Sequence, residues 1–171
     1  MKPIEPPDFH YLSAAIGWVE LGLWREAVDE LERISPEQKN HPLVLRTWFE
    51  VYSKGEKWDR AARLAQELVQ VQPQDAQGWI WHAYATRRMP GGGIPQAREI
   101  LEKARQLIPR EPLIAYNLGC YECQLGDLEK AWNWLEQAFT SRDPNNFRDM
   151  ALKDRDLEPL WGRIKLAQTE V

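Results

Sequence analysis

Cys120 and Cys123 are the first place in this 171-residue chain where side-chain chemistry could be sought. A Cys-x-x-Cys pair is either half of a zinc site or a redox dithiol. Zinc takes four ligands, yet there is no second cysteine pair, and His10, His41 and His82 lie in other parts of the chain. A redox pair needs its first thiol at a helix N-terminus, whereas the apolar pattern around Cys120 puts it in mid-helix. Both thiols are therefore read as structural. Gly91-Gly92-Gly93 lacks the Gly-Lys-Ser/Thr ending and the preceding strand of a phosphate loop, and reads as an elongated inter-helix turn. Acidic residues are plentiful but fall at the spacings of solvated helix faces. Asp154 and Asp156, the nearest to a cluster, precede a short helical pattern whose positive end they favour. No set of nucleophile, base and orienting group can be assembled. The chain is expected to be no enzyme and to use no metal or cofactor.

What the side chains offer instead is surface for binding. Nine tryptophans stand in the chain, and aromatic residues together with arginine dominate protein interfaces. Trp132 and Trp134 are two apart on one helical pattern, so they cannot both face a core. One of them is expected to be partly exposed.

The elements that hold these residues follow from a repeat. Ala27, Ala61, Ala97 and Ala131 are 34, 36 and 34 residues apart. Four residues after each comes Leu31, Ala65, Leu101 or Leu135, and seven after each comes Ile34, Leu68, Ala104 or Ala138. A period near 34 with apolar residues at helical spacing predicts stacked helix–turn–helix units, each too small to bury its own apolar face. Helix pairs are predicted from Phe9 to Ile34, Val44 to Val71, Ala76 to Ile108 and Leu113 to Phe139. Turns are expected at Gly22, Lys54-Gly55, Met89 to Pro95 and Gly126-Asp127, where glycine reverses the chain and proline bars helix continuation. Two short patterns follow, 147–152 and 157–166. The second would cap the last apolar face, with Trp161 as its plug. No strand alternation is present, so the fold class is all-α: a right-handed α-solenoid. The boundaries are an N-terminal extension over 1–8, repeats over 9–41, 42–75, 76–111 and 112–144, and capping helices over 145–171.

Net charge is −4, which leaves no global basic footprint for nucleic acid. Residues 61–110 carry seven basic against four acidic side chains, between two more acidic ends. No stretch approaches 18 uncharged apolar residues, so no membrane association is expected. The first residues show no secretory pattern, and a cytoplasmic location is the default.

The run from Asn117 to Ala131, Asn-Leu-Gly-Cys-Tyr-Glu-Cys-Gln-Leu-Gly-Asp-Leu-Glu-Lys-Ala, resembles a tetratricopeptide repeat, with Ala138 and a late Pro144 beyond it. Leu118, Gly119, Gly126, Ala131 and Ala138 stand at that family's offsets. The other repeats match less fully, through Ala15, Trp18, Gly22, Trp24 and Ala27, through Tyr52, Gly55, Trp58, Ala61 and Pro73, and through Trp79, Ala83, Ala97, Ala104 and Pro109. Phe49 stands where the family has a small residue, which predicts looser or re-registered packing there. The resemblance implies that Trp24, Trp58 and Trp79 are core residues. It further implies a concave groove of first helices presenting Leu43, Arg46, Gln77, Ile80, Trp81, Tyr84, Arg88, Leu113, Tyr116, Asn117 and Cys120, with Phe9, Ile16 and Glu50 nearby. Such domains bind peptides, so the expected function is an interaction adaptor for a protein partner of unknown identity. The two-carboxylate clamp of some relatives is not matched, because Leu12 and Ile16 occupy its first positions. Two other readings remain. One is a self-assembling scaffold or homodimer paired through Trp132, Trp134 or the Trp161 end; the other is a small secretion-type chaperone.

Overall fold

Helix starts along the chain follow from local chemistry. The structure, a computed structural model, describes residues 3–141 and 144–169, which are helical with no strand among them. Pro42 and Pro112 occupy first-turn positions, where a missing N–H costs nothing. Side chains just ahead accept bonds from the orphan backbone donors: His41 Nδ1 from Leu43 N, Asp75 from Gln77 N, Glu111 from Leu113 N and Asp127 from Lys130 N. The chain divides into two compact units, one ending at Gly93 and the other starting at Ile94. The division falls at the triple glycine, where Gly91 has φ +76°. A Cβ on Gly92 would lie 1.8 Å from the carbonyl oxygen of Thr86, so only glycine fits.

The first unit holds α1 (Asp8–Glu20), α2 (Trp24–Glu32), a 3₁₀ turn (Pro36–Gln38), α3 (Pro42–Lys54), α4 (Trp58–Val71) and α5 (Ala76–Arg88). Its core joins Leu12, Ala15 and Val19 of α1 to Ala27 and Leu31 of α2 and to Val44 and Val51 of α3. Full burial of a side chain such as Leu31 contributes about 2 kcal/mol. Trp24, Trp18 and Trp48 pack around this core as half-buried residues. A second cluster centres on Phe49 with Ala61, Ala62, Ala65 and Ala85. The looser packing expected at Phe49 is not found. The four alanines leave space for its ring, which is buried and stacks on Trp81 at 4.6 Å and 12°.

The turn of the second helix pair also differs from expectation. Gly22 and Gly126 take left-handed φ values of +77° and +89°, but the left-handed residue between α3 and α4 is Glu56, at φ +54°. Gly55, one place earlier, serves a different purpose. A Cβ there would meet the Trp24 ring at 3.1 Å, so its bare Cα lets that ring lie against the turn.

The second unit holds α6 (Ile94–Leu107), α7 (Pro112–Gln124), α8 (Leu128–Phe139), α9 (Pro144–Ala151), a 3₁₀ turn (Arg155–Leu160) and α10 (Trp161–Thr169). Helix α6 starts three residues before the predicted Ala97, because Pro95 is compatible with a first helical turn. Gly119 brings α7 against α8: a Cβ there would sit 2.9 Å from Leu135 and 3.2 Å from the carbonyl of Ala131. Glu122 is almost fully buried, with Lys130 Nζ 2.5 Å and Arg98 Nη1 3.6 Å from its carboxylate. Charges removed from water need such partners. The end of the unit is closed by Leu157, Leu160 and Ile164, all buried. The expected plug, Trp161, is only half-buried, because its indole N–H turns to the carbonyls of Ala151 and Asp154 at 2.9 and 3.2 Å. No helix among the described residues is long and apolar enough to cross a membrane.

Candidate functional site

Helices α3 and α5 of the first unit face one another across an open cleft of about 550 Å³. Phe49, Glu50, Ser53 and Lys54 line it from α3, Trp58 from the start of α4, and Gln77, Ile80, Trp81 and Tyr84 from α5. The spacing explains the grouping. Residues 49, 50, 53 and 54, like 77, 80, 81 and 84, recur at three- and four-residue steps and so share one helix face. The floor is the stacked Phe49–Trp81 pair. One wall is Trp58 edge-on to Tyr84 at 5.7 Å. Tyr84 remains 39% exposed.

Cations frame the aromatic rings. The Arg88 guanidinium lies 3.5 Å over the Tyr84 ring and 5.6 Å over Trp58, and its Nη1 donates to the Tyr84 carbonyl at 3.2 Å. Arg46 lies 5.6 Å over Trp81 and is ion-paired to Asp75, the residue that caps α5. Burial raises the Glu50 carboxyl above its ordinary value; Lys54 opposes the shift and Glu20 adds to it.

A second, more apolar cleft of about 420 Å³ is lined by Pro3, Ile4, Phe9, Leu12, Ser13, Ile16, His41 and Leu43. Phe9 and Leu43 are 52% and 54% exposed there.

The sequence-predicted groove residues therefore separate into groups. Gln77, Ile80, Trp81, Tyr84 and Arg88 come together on α5, and Leu43 lies at the apolar cleft. Arg46 is half-buried and held by Asp75. Leu113 and Asn117 are half-buried on α7, with Asn117 Nδ2 donating 2.8 Å to the Leu113 carbonyl of its own helix. Tyr116 and Cys120 are 3% and 4% exposed, so they are not open surface. The chain's own C-terminal segment covers them. The Tyr116 hydroxyl donates to Asp154 at 3.0 Å, Cys120 Sγ lies 3.5 Å from the same carboxylate, and Phe147 packs 5.8 Å from the Tyr116 ring. Burial, Cys120 and Asp154 push the Tyr116 phenol upward; burial and then Asp154 do the same to the Cys120 thiol. Cys123 is raised by burial and by Asp156. Both thiols are thereby held toward the protonated, less nucleophilic form. Among the described residues, no group of three His, Cys, Asp or Glu side chains is placed to hold a metal.

Sequence reasoning missed Trp58 as a cleft residue, because its family position marked it as core. Ser53 and Lys54 were missed because they stand at a turn, although their four-residue steps from Phe49 and Glu50 place them on the same face.

The fold is that of solved tetratricopeptide-repeat structures. A thermophilic TPR protein of Thermus thermophilus matches with a TM-score of 0.67 at 21% identity, over 92% of this chain and 82% of its own. MamA of Desulfovibrio magneticus RS-1, from residue 41 to its end, matches with a TM-score of 0.66 at 18% identity, over 81% of this chain and 76% of its own. At these identities it is the fold that is shared. No protein-family model and no curated protein matches the chain.

Proposed function

We propose that the chain is a non-catalytic interaction scaffold that holds a segment of a partner protein against the α3–α5 face of its first unit. The observation that carries this reading is the aromatic cleft itself. Its floor is a stacked aromatic pair, yet Tyr84, Trp58 and Trp81 are left lining an opening of about 550 Å³. Aromatic anchors fixed by packing, with arginine at the rim, are the usual composition of a binding hot spot. The apolar cleft bearing Phe9, Ile16 and Leu43 offers a second place for the same partner to bury side chains. Tyr116 and Cys120 are left out of this surface, since Asp154 and Phe147 engage them, and Leu113 and Asn117 lie on α7 of the other unit.

The self-pairing alternative rests on Trp132, Trp134 and Trp161, of which Trp134 and Trp161 stay half-buried. Trp132 is buried beneath Arg163, Trp134 lies beneath Arg105, and Trp161 bonds to Ala151 and Asp154. The test of the scaffold reading is selection of binders from a random displayed 12-residue peptide library. Selected peptides are expected to lose their binding to a folded Trp81→Ala/Tyr84→Ala variant, with helicity checked by circular dichroism. Peptides indifferent to that change would remove the site from this face.

A further inference from the structure

We infer that the segment held by the α3–α5 cleft presents one carboxylate beside an aromatic or aliphatic side chain, and that Arg88 is its main reader. This deepens the scaffold reading above and rests on it. The argument begins with the sign of the charge. A box of four aromatic rings ordinarily suits a cation, which the ring faces attract. Here the protein's own cations already stand over those faces: Arg88 over Tyr84 and Trp58, Arg46 over Trp81. An arriving ammonium would find the rings occupied and meet like charge.

The number of charges follows from what remains uncommitted. Arg46 is satisfied by Asp75. Lys54 makes no ion pair among the described residues, although Glu50 feels its charge. Arg88 uses Nη1 on the Tyr84 carbonyl, while a guanidinium carries five N–H donors. Around the opening Lys54 acts on Glu50, whose carboxyl Glu20 raises further, so Arg88, with its remaining N–H donors, is the cation left for an incoming charge. A single Asp or Glu meets Arg88; a second would crowd Glu50 and Glu20.

Geometry supports Arg88 as the main reader. Its guanidinium is held 3.5 Å over the Tyr84 ring and by the bond to the Tyr84 carbonyl, so less rotamer freedom is lost when a carboxylate meets its remaining donors. Bonds in which both groups are ionised are the strong ones. The apolar floor of Phe49, Trp81 and Ile80 requires a neighbouring side chain that buries surface, which a lone acid does not supply.

The experiment uses fluorescein-labelled 12-residue peptides taken from the library selection, with binding to the whole chain followed by anisotropy. The selected sequences are expected to share an Asp or Glu next to an aromatic or aliphatic residue. Changing that acid to Asn, or making Arg88→Glu or Arg88→Gln in the protein, is expected to weaken binding by about tenfold or more. Lys54→Glu should weaken it less, and Glu50→Gln should tighten it. A peptide with Lys in place of its acid should regain affinity on the Arg88→Glu protein. Peptides that ignore every charge change but are lost on Trp81→Ala/Tyr84→Ala would keep the cleft as the site and overturn the charge inference. Peptides that ignore the aromatic change as well would overturn both.

Discussion

Helices α5 and α7 are each thirteen residues long and are the first helices of their repeats, yet their outward faces have opposite fates. Ile80, Trp81, Tyr84 and Arg88 correspond, 36 residues on, to Tyr116, Asn117, Cys120 and Gln124. On α5 these positions border an open cleft. On α7 they are engaged by the chain itself: Asp154 takes the Tyr116 hydroxyl, Phe147 meets its ring, and Gln124 donates to the carbonyl of Asp156. The joints are built alike. Asp75 caps α5 and pairs with Arg46 of the preceding first helix. Asp154 caps the turn Arg155–Leu160 and bonds Tyr116 of the preceding first helix. The C-terminal segment thus starts as another first helix would, but it stays a six-residue 3₁₀ turn with Pro159 inside it. Within the second unit, the α7 face is sealed by the segment that the chain places after it, through contacts that the residues of the face do not supply by themselves.

Lifting the seal should give the largest effect. Leu160→Ala removes a buried cap side chain and is expected to cost about 3 kcal/mol in urea unfolding. It should also make Cys120 react with a thiol reagent, whereas in the wild type both raised, buried thiols should react slowly until the chain unfolds. Fast reaction in the folded wild type would erase the contrast between the two helices. Next come paired truncations at the corresponding positions 84 and 120. Tyr84→Ala should lower peptide affinity by about 2 kcal/mol, roughly thirtyfold, with little change in stability. Cys120→Ala should do the reverse, costing about 1 kcal/mol of stability and no affinity. Equal loss of affinity in both would place ligand on α7 too.

Tyr116→Phe sharpens the comparison further. Losing its bond to the Asp154 carboxylate should cost about 1–2 kcal/mol in thermal unfolding and leave peptide binding intact. The smallest change concerns the turn at Glu56. Glycine there relieves a left-handed backbone, and Glu56→Gly is expected to raise stability by about 0.5 kcal/mol after the entropy of the unfolded chain is deducted. A loss of stability instead would mean that the Glu56 side chain supports the turn.

Much of the architecture is legible in the sequence through particular residues. The alanines at 27, 61, 97 and 131 are all fully buried, since only a methyl group fits where paired helices approach. Gly119 was marked by its family offset, and the Leu135 side chain and Ala131 carbonyl pressed against it give the physical cause. Phe49 was legible only as an anomaly. Its space comes from four alanines spread over two other helices, a compensation that no local pattern expresses. Trp161 was chosen as the plug for its size, but its N–H needs a partner and so the ring stays at the edge, while the leucines and Ile164, with no polar atom to satisfy, go inside.

Periodicity, turn residues and alanine spacing were enough to determine the all-α repeat fold, the helix pairs and a set of outward faces, because these depend on spacings within a single repeat. Which face stays open was a matter for the tertiary structure. Tyr84 and Cys120 hold the same place in their repeats, and contacts from Phe147, Asp154 and Asp156, far from α7 in sequence, separate an open face from a sealed end.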